Sequence, residues 1–316
     1  MMRIQTGSRL HFGLLSPGSS AGRRFGGAGL MIDQPGIEVS AQSADDWSVE
    51  GPLAGRADTV LRHIFATAER PVEKRLSFRI ANAPPEHAGL GTGTQLSLAL
   101  ARLVAEAEAW PDHAAPALAR VAGRGARSAV GIHGFDHGGF LVEGGKREDR
   151  AIAPLIFQHP FPPEWRIVVA VPRGECGLHG NAEREAFSRM DTLAAGSEQP
   201  LSRLTLIGIL PALLEGQFAE FSESLYDFNR LAGELFRTVQ GGPYSRAAGA
   251  VVEAMRRLGV MGVGQSSWGP AVFAVTQDAE SALSLAERLR TSSDLPALDI
   301  WTAQALNSGA SFESES

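Results

Sequence analysis

The sequence predicts an α+β fold, with strands early in the chain and helices followed by a second sheet later. Residues 3–15 alternate apolar and polar side chains with the period of a half-buried strand. The stretch that starts at Leu96 repeats apolar residues with helical spacing. Short apolar runs on both sides of a helical pattern at 279–289 predict the late sheet.

Composition excludes several classes of protein. The chain has 316 residues, of which 44% are hydrophobic and 20% charged, enough for a large core. Its formal net charge of -6 argues against binding to nucleic acid or to an anionic membrane. One cysteine allows neither an internal disulfide nor a thiolate metal cluster. With no long apolar run, a cytoplasmic protein is expected.

The first half is predicted to hold most of the strands. The predicted strands are 3–15, 30–40, 47–51, 75–81 and 140–143, and the predicted helices are 57–68, the segment after the glycine loop, and 115–122. Residues 123–139 are so rich in glycine that no regular structure is expected there.

The second half is predicted to be mainly helical. The Pro-rich turn HPFPPEW lies between two strands within 152–171 and divides the chain into domains at 1–162 and 163–316. Predicted helices are 181–190, 201–214, 218–238, 244–258 and 279–289, and predicted strands are 259–264, 271–276 and 298–306. The polar tail SGASFESES is expected to be frayed.

A glycine loop is the strongest chemical signal. Gly89, Gly91 and Gly93 run directly into a helix, with Thr92 or Thr94 as the expected cap. The free N–H groups and the positive dipole end of such a helix attract phosphate, and glycine lets its oxygens approach the backbone. An ordinary tight turn is the alternative. The loop contains no lysine, which excludes a Walker P-loop.

Other polar clusters are weaker candidates. Arg9 and His11 share the polar face of the first strand, although such a pair is usually solvated surface. The run GQSSWG at 264–269 places hydrogen-bond donors beside the aromatic side chain of Trp268. The alternative is an ordinary hairpin that carries polar side chains. Asp136 lies between two histidines, but no third ligand spacing supports a metal site there.

Three segments together resemble the three motifs of the GHMP kinase superfamily: GSRLHFGLL, PEHAGLGTGTQLSLALA and GVGQSSWGPAVFAV. Within them, RLHFGLL, GLGTGTQL and GQSSWGP are similar to the motifs of the β-ribofuranosylaminobenzene 5'-phosphate synthase family, to which His11, Gln95 and the run 265–268 point. The resemblance implies a GHMP-kinase-like two-domain fold. Its amino-terminal half, which carries the phosphate loop, would resemble ribosomal protein S5 domain 2, and its carboxyl-terminal half would be ferredoxin-like.

One departure from the kinase motifs separates the possible activities. Superfamily kinases carry a catalytic Asp before a Gly-Gly pair, and an alignment on Gly138 and Gly139 puts Gly131 in that slot. Without that carboxylate, phosphoryl transfer from ATP is hard to rationalise. Asp136 is the remaining candidate for the acid.

The resemblance implies a pentosyltransferase of tetrahydromethanopterin biosynthesis. It would transfer the phosphoribosyl group of phosphoribosyl pyrophosphate to 4-aminobenzoate or 4-hydroxybenzoate, with release of CO₂ and pyrophosphate. Mg²⁺ is the expected cofactor and a homodimer the expected assembly, with no nucleic acid or membrane partner. The alternatives are an ATP-dependent small-molecule kinase and a non-catalytic ligand-binding protein of the same fold.

The resemblance also implies the site residues, without metal ligands. His11, Arg9 and Asp136 are the candidates for catalysis. The candidates for substrate and phosphate binding are Arg24, Gly89, Gly91, Thr92, Gly93, Thr94, Gln95, Gln265, Ser266, Ser267 and Trp268. Asn181, Glu183 and Arg184 are further candidates for the acceptor or the metal.

Overall fold

The computed structural model of the chain describes residues 1–16, 22–147, 152–178, 180, 185–186 and 198–314. These residues form a seven-stranded and a four-stranded sheet with helices packed against both. The α+β class predicted from the sequence is confirmed. No helix in the described part of the chain is long and apolar enough to cross a membrane.

The strands follow the predicted order. They are β1 (Met2–Ser16), β2 (Phe25–Ser43), β3 (Ser48–Glu50), β4 (Leu76–Asn82), β5 (Phe140–Glu143), β6 (Leu155–His159), β7 (Arg166–Pro172), β8 (Gly262–Gln265), β9 (Val272–Thr276), β10 (Leu298–Ala303) and β11 (Ser311–Ser314). The first sheet has the order β11-β1-β2-β4-β3, and β5 and β6 continue it from the other part of β2. The second sheet has the order β10-β7-β9-β8.

Helices cover both sheets. They are α1 (Ala54–Thr67), α2 (Thr92–Ala107), α3 (Ala115–Val121), α4 (Val130–His137), α5 (Glu198–Arg203), α6 (Leu210–Leu214), α7 (Phe218–Glu234), α8 (Arg237–Gln240), α9 (Arg246–Arg257) and α10 (Ala279–Arg290). The predicted helix 201–214 continues from α5 into α6 through a π-helical turn at Leu204–Ile209. The predicted helix 181–190 lies almost wholly outside the described residues.

The second sheet is buried on both faces. Along β7, Ile167 and Val169 face a core shared with the first sheet, whereas Val168 and Ala170 face α9 and α10. β9 alternates in the same way, with Phe273 in the shared core. The period-2 geometry of a strand produces this division.

The glycine-rich segment 123–139 contains a helix, so the prediction of irregular structure is wrong for α4. Gly131 and Gly134 do not make turns there. A Cβ on Gly134 would lie 2.5 Å from the Sδ of Met31, and a Cβ on Gly131 would lie 3.2 Å from the Nε2 of Gln95. These glycines allow α4 to pack closely against its neighbours.

The described part of the carboxyl-terminal tail, residues 308–314, is also ordered, contrary to prediction. Residues 311–314 form β11, which pairs antiparallel with residues 2–5 of β1 at the edge of the first sheet. Phe312 packs against the core of the amino-terminal half, and the guanidinium of Arg102 lies 5.4 Å from its ring centroid. The residues after position 162 therefore contribute a strand to the first sheet.

Candidate active site

The three motif segments meet in the folded chain. The backbone N–H of Arg9 on β1 donates to the carbonyl of Leu90 in the glycine loop at 2.9 Å. On the other side, the N–H of Ser267 donates to the carbonyl of His11 at 3.0 Å. β1 therefore lies between the glycine loop and the turn that carries Trp268.

Ser266 ties these segments together. Its side chain is fully buried, accepts a bond from the N–H of His11 at 3.0 Å, and donates to the carbonyl of Gly89 at 2.7 Å. Gly89 has φ +85°, and a Cβ there would collide with the carbonyl oxygen of Ser266. This close approach requires glycine at position 89.

Gln95 is buried behind the loop. Its Oε1 accepts a bond from the hydroxyl of Thr6 at 2.7 Å, and its Nε2 donates to the carbonyl of Gly131 at 2.7 Å. The side chain thus joins α2 to β1 and α4. Gln95 and Ser266 are therefore placed to position the site, and neither lines the cavity described next.

A cavity of about 510 Å³ opens where the three segments meet. The candidate residues that line it are Arg9, His11, Gly89, Gly91, Thr92, Gly93, Thr94, Gln265, Ser267 and Trp268. Its size falls within the range of small-molecule sites. The glycine loop and the tryptophan turn therefore face the same space.

The start of α2 is open at its amino end. Gly91, at φ +73°, is the N-cap, and no side chain caps the helix. The expectation of a threonine cap is wrong, because Thr92 is already helical and its hydroxyl donates to the carbonyl of Pro85 at 3.0 Å. An uncapped helix start presents N–H groups and a positive dipole end to an anion.

Arginines that the sequence analysis missed also line the cavity. Arg56 comes from α1, and Arg124 and Arg127 come from the segment GRGARS before α4. With Arg9 they give the described lining four guanidinium groups against one carboxylate, that of Glu86. The alternation of arginine with glycine in GRGARS was the available signal. Arg56 lies in an ordinary amphipathic helix, where no sequence signal marks it as a site residue.

Other candidates lie elsewhere. The Asp136 carboxylate accepts a bond from the N–H of Ala115 at the start of α3, at 2.9 Å, and does not line the cavity. Arg24 does not line it either, and its guanidinium lies 5.6 Å from the ring centroid of Phe25. The structure therefore does not support the assignment of Asp136 and Arg24 to this cavity. Asn181, Glu183 and Arg184 lie outside the described residues.

His11 is neutral inside the site. Burial, with a further contribution from the charge of Arg9, lowers the pKa of His11 to about 3. Its Nε2 is buried without a hydrogen-bond partner among the described residues. A neutral imidazole with a free ring nitrogen can donate to or accept from a ligand, but it does not carry a positive charge near neutral pH.

The tryptophan turn forms a packed wall. Trp268 is only 7% exposed, and its ring meets that of Phe236 edge to face with centroids 4.3 Å apart. Gln265 holds the turn, because its Oε1 accepts from the N–H of Ser245 at 2.8 Å and its Nε2 donates to the carbonyl of Ser267 at 3.0 Å. Most of the Trp268 ring is thus covered by protein.

The described lining does not fit a dedicated Mg²⁺ site. Mg²⁺ prefers carboxylate oxygens together with phosphate and water. Glu86 is the one carboxylate among the described lining residues, and it pairs with Arg56 at 2.6 Å. No cluster of three potential metal ligands exists in the described part of the chain.

Comparisons with known proteins agree with this architecture. Residues 209–294 match the family model described as GHMP kinases C terminal. Homoserine kinase from Cytophaga hutchinsonii superposes with a TM-score of 0.69 at 17% identity, covering 98% of this chain and 97% of that one. At that identity the likeness shows the fold alone.

Sequence relatives identify the family. The chain is 33% identical to β-ribofuranosylphenol 5'-phosphate synthase from Methanothermobacter thermautotrophicus, over 87% of this chain and 88% of the relative. The enzyme of the same name from Methanocaldococcus jannaschii is 29% identical over 86% and 89%. The chain therefore belongs to the β-ribofuranosylphenol 5'-phosphate synthase family of the GHMP kinase superfamily.

Proposed function

We propose that the protein is a decarboxylating phosphoribosyltransferase that makes a β-ribofuranosyl arene 5'-phosphate. The bond between ribose C1 and the diphosphate oxygen breaks, and pyrophosphate leaves with its electron pair. A bond forms between C1 and the ring carbon of a para-substituted benzoate that bears the carboxylate. The bond to the carboxylate then breaks, CO₂ departs, and its electron pair restores the aromatic ring.

The observation that carries the proposal is the meeting of an uncapped helix start with a cluster of arginines in one cavity. The reaction requires a site that stabilises a leaving pyrophosphate and a positive charge developing at C1. The backbone N–H groups at the uncapped start of α2 and the guanidinium of Arg9 would stabilise the leaving pyrophosphate. The neutral His11 adds a donor or acceptor without adding a competing charge.

The acceptor is proposed to be 4-hydroxybenzoate, with 4-aminobenzoate as the alternative. The names of the relatives specify a ribofuranosylphenol, and the phenol is what 4-hydroxybenzoate leaves after it loses CO₂. The aromatic wall of Trp268 and Phe236 is proposed to border the acceptor. The requirement for Mg²⁺ and the homodimer stay predictions. Omitting Mg²⁺ from the assay would check the first, and sedimentation of the protein would check the second.

An ATP-dependent kinase is the second candidate, favoured only by the fold. Its acid residue is missing at Gly131, where a Cβ would lie 3.8 Å from the Cβ of Arg9. That slot is therefore next to the site and holds no carboxylate. Asp136 does not reach the cavity to replace it.

A labelling experiment separates the candidates. Purified protein receives Mg²⁺, phosphoribosyl pyrophosphate and either benzoate labelled at its carboxyl carbon. The proposal expects labelled CO₂ and pyrophosphate in equal amounts. Conversion of ATP with an alcohol acceptor, without CO₂ release, would identify a kinase. Absence of activity in both assays would favour a non-catalytic ligand-binding protein.

The same assay tests the glycine loop. Gly91→Val places a branched side chain against Arg9 at a residue with φ +73°, so turnover should fall at least 100-fold. Gly174→Val is the matched control, because Gly174 has φ +79° with open space around it and does not line the cavity. Equal activities of the two variants would remove the loop from the proposed site.

A further inference from the structure

Arg9 and Arg56 both lie against the start of α2. A Cβ on Gly91 would lie 3.2 Å from the Cβ of Arg9, and a Cβ on Gly93 would collide with Nη2 of Arg56. Gly91 is the N-cap of α2, and Gly93 lies in its first turn. The helix start therefore has one guanidinium beside Gly91 and another beside Gly93.

Arg124 lies at the same end of α2 as Arg56. Its Nε donates to the hydroxyl of Ser97 at 3.0 Å, and that hydroxyl donates to the carbonyl of Gly93 at 2.7 Å. This chain of bonds anchors Arg124 to the Gly93 side of α2. Arg56 is fixed by its ion pair with Glu86, and its Nε is buried without a hydrogen-bond partner among the described residues.

The two guanidinium groups repel each other in the absence of an anion. Burial, and then the charge of Arg56, lower the pKa of Arg124 to about 10, so Arg124 stays cationic at neutral pH. Arg56 and Arg124 face one cavity whose described lining has a single carboxylate, so the entry of an anion would stabilise both cations. The geometry is that of an anion subsite next to the one at Arg9.

We propose that Arg56 and Arg124 form a second anion subsite, which binds the 5'-phosphate of the phosphoribosyl donor while its diphosphate lies at Arg9 and the glycine loop. The inference rests on the proposed function, because that donor carries anionic groups at both ends of one pentose. Two subsites at one helix start, one at Gly91 and one at Gly93, would fix the ribose between them. C1 would then have a set direction toward the acceptor.

Separate binding of the two halves of the donor tests this. Ribose 5-phosphate and pyrophosphate are titrated calorimetrically into the wild type, Arg124→Gln, Arg56→Gln and Arg9→Gln. We expect the first two variants to bind ribose 5-phosphate at least 10-fold more weakly and pyrophosphate within about threefold of wild type. Arg9→Gln should show the reverse. If Arg124→Gln does not fold, Arg124→Lys, which keeps the charge, replaces it in the titrations.

Arg62→Gln is the matched control, since Arg62 is an exposed arginine of α1 that pairs with Asp58 and does not line the cavity. It should bind both probes like wild type. Equal losses for both probes in the Arg56 and Arg124 variants, or no binding of ribose 5-phosphate to the wild type, would overturn the subsite. Probe-selective losses without CO₂ release would keep the subsite and reject the proposed function. If the protein released CO₂ but the variants lost both probes equally, the proposed function would stand and the subsite would be rejected.

Discussion

Two buried ionisable side chains near the cavity have pKa values displaced in opposite directions. His11 has a pKa of about 3 instead of 6.5, because of its burial and of Arg9. Glu143 on β5 is fully buried, and its burial raises its pKa from 4.5 to about 7, although hydrogen bonds from Ser128 and Ala129 oppose the shift. Ser128 lines the cavity, so Glu143 stands directly behind its wall.

These shifts predict opposing effects of pH on stability. The unfolded chain binds the His11 proton more tightly than the folded protein, so this group makes the free energy of unfolding rise with pH between about 3 and 6.5. The folded protein holds the Glu143 proton more tightly, so this group makes the free energy fall between 4.5 and about 7. The two contributions oppose each other where the windows overlap.

Glu143→Gln should therefore steepen the dependence on pH. Glutamine keeps an oxygen for the N–H of Ala129, which lies 2.8 Å from Oε2, but it does not titrate. Between pH 4.5 and 6.5 the free energy of unfolding should rise by up to about 1.4 kcal/mol per pH unit more than in wild type, measured by urea denaturation. His11→Gln should shift the slope the other way. Parallel curves for all three proteins would contradict both assignments.

At the scale of secondary structure elements, the sequence predicted those elements whose own side chains specify them. β1, β2, α2 and the β8–β9 hairpin have clear periodicity, and all of them form. The sequence did not predict α4 and β11, because contacts with neighbouring elements determine their structure. The glycines of α4 look like turn residues until Met31 and Gln95 are seen against them, and β11 has a single large apolar residue, Phe312, on an edge that β1 supplies.

The candidate site shows the same limit. The glycine loop, Arg9, His11 and Trp268 stand in motifs that could be recognised in the sequence, whereas Arg56 and Arg124 reach the cavity through tertiary packing. A chain with 27 arginines offers no local contrast that distinguishes these two. Gln95 and Ser266 were recognised as motif residues, but their buried hydrogen bonds show that they hold the segments together.

Gly134→Ala tests the packing account of α4. Helix propensity alone would favour alanine by up to about 1 kcal/mol. Its Cβ would, however, lie 2.5 Å from the Cγ and Sδ of Met31, a fully buried side chain that would have to shift. We expect the free energy of unfolding to fall by about 1–3 kcal/mol. In the Gly134→Ala background, Met31→Ala should cost less than it does alone.

Gly249→Ala in α9 is the matched control for this experiment. A Cβ there would meet the Cβ of Tyr244 at 3.8 Å, an ordinary contact, so helix propensity should decide and alanine should stabilise by about 0.5–1 kcal/mol. If both substitutions stabilised the protein, the close packing of α4 on Met31 would not explain its glycine.

At the scale of the whole molecule, the two sequence halves share one core and one hydrogen-bonded frame. The rings of Phe12 and Phe273 lie 4.9 Å apart between centroids, and both belong to a cluster that draws on both halves. Asn229 of α7 donates to the carbonyls of Phe12 and Gln265 at 2.5 and 2.9 Å. The predicted boundary at 162 lies between β6, a strand of the first sheet, and β7, a strand of the second, although β11 of the first sheet follows much later in the chain.

This shared core predicts that the amino-terminal half does not fold alone. A fragment of residues 1–162 would lose β11 from the edge of β1, and it would expose the face of Phe12 and Phe140 that packs against the carboxyl-terminal half. We expect its circular dichroism to change gradually with urea, without a cooperative transition, whereas that of the full chain should show a cooperative transition. Adding fragment 163–316 should restore a cooperative transition, because it supplies β11, α7 and the second sheet. A cooperative transition of 1–162 by itself would show that the amino-terminal half folds without the core it shares with the carboxyl-terminal half.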